Sequence, residues 1–148
     1  STADQVNILK AKRYANPLDD IKAKISRDNL LEIQNFLGNV QVADSVLSYI
    51  VALCEQTRDM DLVELGISPR GVIALTRMAR ACALIRERDF VSPEDVREVF
   101  KATCAHRLVL KPQARIESIT AEDILDQVMA ATPAPSMGQA SGRAARRL

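Results

Sequence analysis

Ser68-Pro69-Arg70-Gly71 sets a guanidinium in the first turn of a helix. Ser caps the free amides and Pro takes the first helical position without losing a bond, so a helix starts here. The end of a helix that carries free amides is partly positive, and a cation there is disfavoured by ~0.3–1 kcal/mol. An anion nearby removes the misfit. The amides attract it, and a guanidinium holds a phosphate through two parallel hydrogen bonds. Gly71 suits such a site, because a glycine inside a helix costs ~1 kcal/mol and reflects close approach by another element. The competing reading is local: Arg70 pairs with a carboxylate such as Glu64 or Asp61. Local physics leaves both open.

Other chemistry is sparse. Gly66 and Gly71 match the glycine spacing of a phosphate loop, G-x-x-x-x-G, but Val72-Ile73 stand where Lys and Ser or Thr are needed. Pro69 also removes one of the amides that would cradle phosphate. The one histidine, His106, leaves no Ser-His-Asp or Cys-His set to assemble. Cys54, Cys82 and Cys104 are widely spaced, include no C-x-x-C, and lie in apolar helical patterns. No metal ligands are therefore assigned, and the cysteines read as buried structural thiols of a reducing compartment.

The elements that must position Arg70 follow from repeated start signals. Ile25-Ser26-Arg27, Val91-Ser92-Pro93 and Ile119-Thr120-Ala121 each set a hydroxyl cap beside an apolar residue suited to a hydrophobic staple, as does Ile67-Ser68-Pro69. Asp95 and Asp123 complete capping boxes. Reading forward predicts helices over 3–14 (capped by Thr2, with Gln5 completing a box), 27–37, 44–58, 69–87, 93–106 and 121–131. In the fourth, Gly71, Ala74, Leu75, Met78, Cys82 and Ile85 form the expected inner face, with Arg70, Arg77 and Arg80 opposite. Only Leu108-Val109-Leu110 suggests an extended piece. The fold class is all-α, a small helical bundle. Asn16-Pro17 reads as a hinge, and "TPAPSMGQASGRAARRL" (132–148) as a flexible basic tail.

Composition narrows the function. Of 148 residues, 47% are hydrophobic but only 3% aromatic, so the core must be aliphatic. The formal net charge is +1, yet Arg143, Arg146 and Arg147 in the tail leave residues 1–131 at −2. A body of that charge argues against a nucleic-acid-binding surface built on Arg70, Arg77 and Arg80. No signal peptide and no apolar run near 18 residues is present, so a membrane is not expected and the expected location is cytoplasmic.

Gly66-Ile67-Ser68-Pro69-Arg70 resembles the G-x-S-P-R "sensor 2" motif of MoxR-type AAA+ ATPases. The likeness continues in order through "ALTRMARACALIRERDFVSPEDVREVFKATCAHRL" (74–108), where Arg88 to Val96 resembles the family's GR-D-(Y/F)-V-x-P-x-D-V stretch. His106-Arg107 resembles its terminal His-Arg pair, and "VADSVLSYIVALCEQTR" (42–58) the helix before sensor 2. One departure is Glu87, where the family often has Gly. The resemblance implies a lid domain over 18–131, entered through the end of an ATPase core or hinge (1–17), with the tail (132–148) unassigned. It implies that the lid closes over ATP and Mg2+ held by a core, with Ser68, Pro69, Arg70 and Gly71 at the nucleotide and Arg70 on the γ-phosphate. The Walker lysine and acids, the sensor 1 residue and the arginine finger belong to that core, so this chain alone is expected to be inactive. Arg77, ~10 Å along the helix, is then suited to a subunit or core interface, and solvent is its alternative. The implied partners are the chain's own core, neighbouring subunits of a ring (a hexamer), and a von Willebrand A-domain protein. The implied work is remodelling of a client or insertion of a metal cofactor. A helical nucleic-acid-binding or protein-interaction module is the alternative.

Overall fold

The computed structural model describes residues 1–11 and 21–136. Helices α1 (Thr2–Ala11) and α2 (Arg27–Phe36) come first. Next are α3 (Asp44–Gln56), β1 (Val63–Leu65), α4 (Pro69–Ile85) and α5 (Pro93–Cys104). The order ends with β2 (Val109–Leu110), α6 (Pro112–Ile116) and α7 (Ala121–Ala131). Residues 1–35 form one unit and the chain from Phe36 onward a second. The proposed hinge at Asn16-Pro17 and the tail beyond Ser136 lie outside the described residues.

In the first unit, α1 starts one residue earlier than its sequence predicts. Ser1, not Thr2, caps it: the Asp4 amide donates to Ser1 Oγ at 3.3 Å, and the terminal ammonium donates to Asp4 Oδ2 at 2.9 Å. Asp4 answers Ser1 in this cap, its side chain accepting from Ser1 Oγ at 2.9 Å, in place of the expected Thr2–Gln5 box. Ser26 Oγ caps α2 by accepting from the Asn29 amide at 3.1 Å. Helix α2 buries none of its residues.

The second unit holds the core. Helix α4 packs on α5 and α3, and α7 packs on α5 and α3. Tyr49, Ile50, Leu53, Leu75, Val96, Phe100, Ile124, Leu125 and Val128 fill the space between them. Both expected capping boxes form, Ser92 with Asp95 and Thr120 with Asp123. The extended residue Gln41 ties the entry of α3 to the α4–α5 turn. Its amide donates to the Asp89 carbonyl at 2.7 Å, and its carbonyl accepts from the Val91 amide at 2.9 Å.

The inner face of α4 differs from the expected one. Gly71, Leu75, Ala79 and Ala83 are buried, whereas Met78 is 48% and Ile85 83% exposed, and Cys82 is only half-buried. Three of these four residues, Gly71, Ala79 and Ala83, are small and let neighbouring elements approach α4 closely, while Leu75 fills the core and Met78 and Ile85 turn outward. Strand β1 pairs antiparallel with β2, Val63 opposite Leu110 and Leu65 opposite Val109. The sequence points to β2 alone, since three residues with one buried side chain give β1 no alternation to detect. Its register is held from outside, by the Lys111 amide on the Leu62 carbonyl at 2.9 Å.

Glu87 takes up the departure from the family pattern. It closes α4 with φ 58°, the left-handed region that glycine prefers. The Glu87 amide donates to Leu84 O at 2.9 Å and the Arg88 amide to Ala83 O at 3.0 Å, the paired bonds of a Schellman stop. The turn is thus kept, with a non-glycine residue in its strained position.

Candidate functional site

Ser68 is extended (φ −76°, ψ 162°) and its Oγ accepts from the Gly71 amide at 3.4 Å, while Pro69 opens α4. The Gly71 and Val72 amides also donate to the Ser68 carbonyl, at 2.8 and 3.1 Å. Pro69 has no N–H, so of the first-turn amides only that of Arg70 lacks a partner among the described residues. The helix end therefore offers an anion one amide rather than several. Its attraction rests chiefly on the guanidinium. Arg70 is exposed, and among the described residues it forms no ion pair with Glu64, Asp61 or any other acid. The local ion-pair reading is not the one realised.

Gly71 is buried, and the space a Cβ would fill is occupied: Ile67 Cγ2 would lie 2.6 Å from it and Arg107 Cδ 3.5 Å. The close approach that a mid-helix glycine signals is made by Ile67, folded back under the first turn. Arg107 donates from Nε to the Thr103 carbonyl at 2.9 Å, a cation at a helix C-terminus as the dipole favours, and His106 is exposed. Arg77 is exposed. Arg80 is half-buried, and its Nε is buried without a hydrogen-bond partner.

Two residues that sequence reasoning missed hold the loop in front of α4. The Thr57 hydroxyl donates to the Cys54 carbonyl at 2.6 Å, and its oxygen accepts from the Ile67 amide at 3.0 Å. Arg58 donates from Nε and Nη2 to the Ile67 carbonyl at 3.3 and 2.9 Å. A Cβ on Gly66 would stand 2.8 Å from Thr57 Oγ1 and 2.6 Å from Arg58 Cγ, so only glycine lets the loop lie this close. The one signal available was the Thr-Arg pair at the end of a helix nine residues before Gly66-Ile67. Both close the stretch 42–58 that resembles the helix before sensor 2, but no role attaches to either from that likeness.

A second buried polar centre lies at the far end of α4. The Asp95 carboxylate, fully buried, accepts Arg88 Nη1 and Nη2 at 2.7 and 2.5 Å, Arg86 Nη1 at 3.1 Å and the Ser92 amide at 2.8 Å. Arg86 also pairs with Glu98. Burial pushes the Asp95 carboxyl up, but the hydrogen bonds from Arg88 and Ser92 outweigh it and hold the group down at about 2. This centre fixes the turn between α4 and α5.

Residues 55–128 match the AAA lid domain family. The chain is 35% identical over 132 residues to the YeaC protein of Bacillus subtilis, covering 89% of this chain and 41% of that protein. It is 31% identical over 125 residues to Chaperone MoxR1 of Mycobacterium tuberculosis, covering 78% of this chain and 33% of that one. The crystal structure of a candidate ATPase from Cytophaga hutchinsonii shares the fold at a TM-score of 0.78 and 25% identity, over 92% of this chain and 44% of that one. The chain spans less than half the length of each of these relatives. It belongs to the AAA lid domain family, as the lid region of a MoxR-type AAA+ protein.

Proposed function

We propose that this chain is the lid over the nucleotide site of a MoxR-type AAA+ ATPase, and that Arg70 contacts the γ-phosphate of ATP held with Mg2+ by a separate core domain. The observation that carries the reading is Arg70 itself. It is an exposed guanidinium with no acidic partner among the described residues, on a helix start fixed by Ser68 and Pro69. The names of two relatives, a chaperone of the MoxR type and a candidate ATPase, agree with it.

The phosphate supplies the anion that the helix end and the guanidinium both favour. Arg70 donates two parallel hydrogen bonds to it and offsets the charge that grows on the transferred phosphoryl group. Because ADP lacks that phosphate, the position of the lid distinguishes the two nucleotides. Arg77 faces solvent in this chain and suits a contact with the core or with a neighbouring subunit of a ring. In the same reading the ring is a hexamer that remodels a client or supports cofactor insertion in the cytoplasm, with a von Willebrand A-domain partner.

The test is hydrolysis by the full-length ATPase carrying Arg70→Ala. Turnover should fall ~10²-fold or more, as on loss of a charged transition-state contact, while ADP affinity changes little. Unchanged turnover would remove Arg70 from the site.

A further inference from the structure

We infer that Thr57 and Arg58 are positioning residues for Arg70, holding the peptide groups just ahead of α4 so that its guanidinium is aimed before nucleotide arrives. The inference rests on the reading of Arg70 given above.

Three observations carry it. First, both backbone polar groups of Ile67 are taken by this pair: the amide by Thr57 Oγ1 and the carbonyl by two nitrogens of Arg58. Second, the Thr57 hydroxyl proton is committed to the Cys54 carbonyl at 2.6 Å, which leaves the oxygen to accept from Ile67. Thr57 and Ile67 are both fully buried, so these bonds do not compete with water. Third, Gly66 has no room for a Cβ against Thr57 and Arg58, and Gly71 none against Ile67. Ile67 is thus gripped on both sides, three residues before Arg70. A rotation at the Ile67–Ser68 link would swing the first turn of α4 and carry the guanidinium with it. Misplacement of a catalytic group by ~1 Å costs on the order of 10²-fold in rate. Arg70 has no acidic partner among the described residues, so the part of its placement that the fold fixes is the backbone position from which its side chain starts.

The experiment measures kcat and KM for ATP in the full-length ATPase with Arg58→Ala, Thr57→Val, Thr57→Ser and Arg70→Ala, and with Arg58→Ala and Arg70→Ala combined. Arg58→Ala and Thr57→Val should each lower kcat ~10-fold, with ADP affinity changed less than threefold; Thr57→Ser, which keeps the hydroxyl, should restore the rate. In the Arg70→Ala background, Arg58→Ala should add less than a twofold loss, because the residue through which it acts is gone. An equal further loss in that background overturns the inference, since the effect would then bypass Arg70. Single variants within twofold of wild type overturn it too, and leave the reading of Arg70 standing if Arg70→Ala is slow. An active Arg70→Ala enzyme sinks both. Should Thr57→Val fail to fold, Arg58→Ala decides, because Arg58 is an exposed side chain.

Discussion

Arg88 grips Asp95 with both terminal nitrogens across the α4–α5 turn, at 2.7 and 2.5 Å, and the carboxylate lies wholly out of water. The same carboxylate closes the capping box on Ser92 and takes Arg86. One side chain therefore fixes the start of α5, the end of α4 and the loop between them. Its carboxyl titrates at about 2 in the folded chain, below the ordinary 3.8. A depressed carboxyl contributes stability that is complete above the unfolded value and is lost as pH falls through the folded one. The chain should lose about 2 kcal/mol between pH ~4 and ~2 from this group. Asp95→Asn, which cannot neutralise the two arginines, should be destabilised by about 3 kcal/mol at pH 7, and its acid-induced loss over the same window should be shallower. Denaturant melts of both proteins at pH 7, pH 4 and pH 2 measure this. Parallel loss in the two would assign the acid sensitivity elsewhere.

Glu87→Gly should stabilise the chain. A left-handed conformation costs an L-residue ~1–2 kcal/mol, and glycine returns ~0.5–1 kcal/mol of that as unfolded-state entropy. The expected net gain is about 0.5–1 kcal/mol, a rise of about 2–5 °C in Tm. Ser118, at φ 56° after α6, predicts a gain of the same sign. A lower Tm for Glu87→Gly would mean that the glutamate side chain holds the turn.

The thiols should react in a fixed order. Cys54 and Cys104 are fully buried against one another's helices, and the hydrogen bond with the Cys104 thiol, followed by burial, pushes the Cys54 thiol up. Cys82 is half-buried, and its partial burial raises it more mildly. Iodoacetamide at pH 8 should label Cys82 first, and the other two only on unfolding. Mass spectrometry of timed samples shows the order. Early labelling of Cys54 or Cys104 would mean that α3 and α5 open locally.

The chain by itself should bind Mg-ATP weakly. It offers one guanidinium and one free first-turn amide for phosphate, since Ser68 has already engaged Gly71. Isothermal titration should give no submicromolar dissociation constant. A tight constant would contradict a lid that needs a core to complete its site.

Sequence made the helices legible wherever a cap and a staple announced them. Ser68, Ser92 and Thr120 all sit at the N-caps where their spacing put them. It was weaker where position depends on partners distant along the chain. Ala79 and Ala83 look like filler on a helical wheel, yet they form the seam of α4, because their size matters only once α5 lies against them. Strand β1 exists through Leu110 and Lys111, about 45 residues onward, and leaves no periodic trace. The same limit hid Thr57 and Arg58. A hydroxyl and a guanidinium at a helix end are ordinary until the loop they grip folds back, and that fold depends on Gly66. The misfit at Arg70 was readable because it is local, a cation in a first turn.

That local misfit gives the last prediction. In this chain Arg70 is exposed and makes no ion pair among the described residues, so nothing in the fold depends on it. Removing it also removes a repulsion from the N-terminus of α4 worth ~0.3–1 kcal/mol at most. Arg70→Ala should therefore leave the melting temperature of the chain unchanged or raise it by a few degrees. Arg58→Ala should lower it, because the Ile67 carbonyl then loses both of its side-chain donors, at about 1–2 kcal/mol. The two arginines would thus separate: one dispensable for stability and required for turnover, the other contributing to both. Differential scanning of the two variants against wild type reads the first half directly. A clear drop for Arg70→Ala would reveal a partner in the fold and make Arg70 a structural residue. The case for nucleotide contact would then rest on family membership alone.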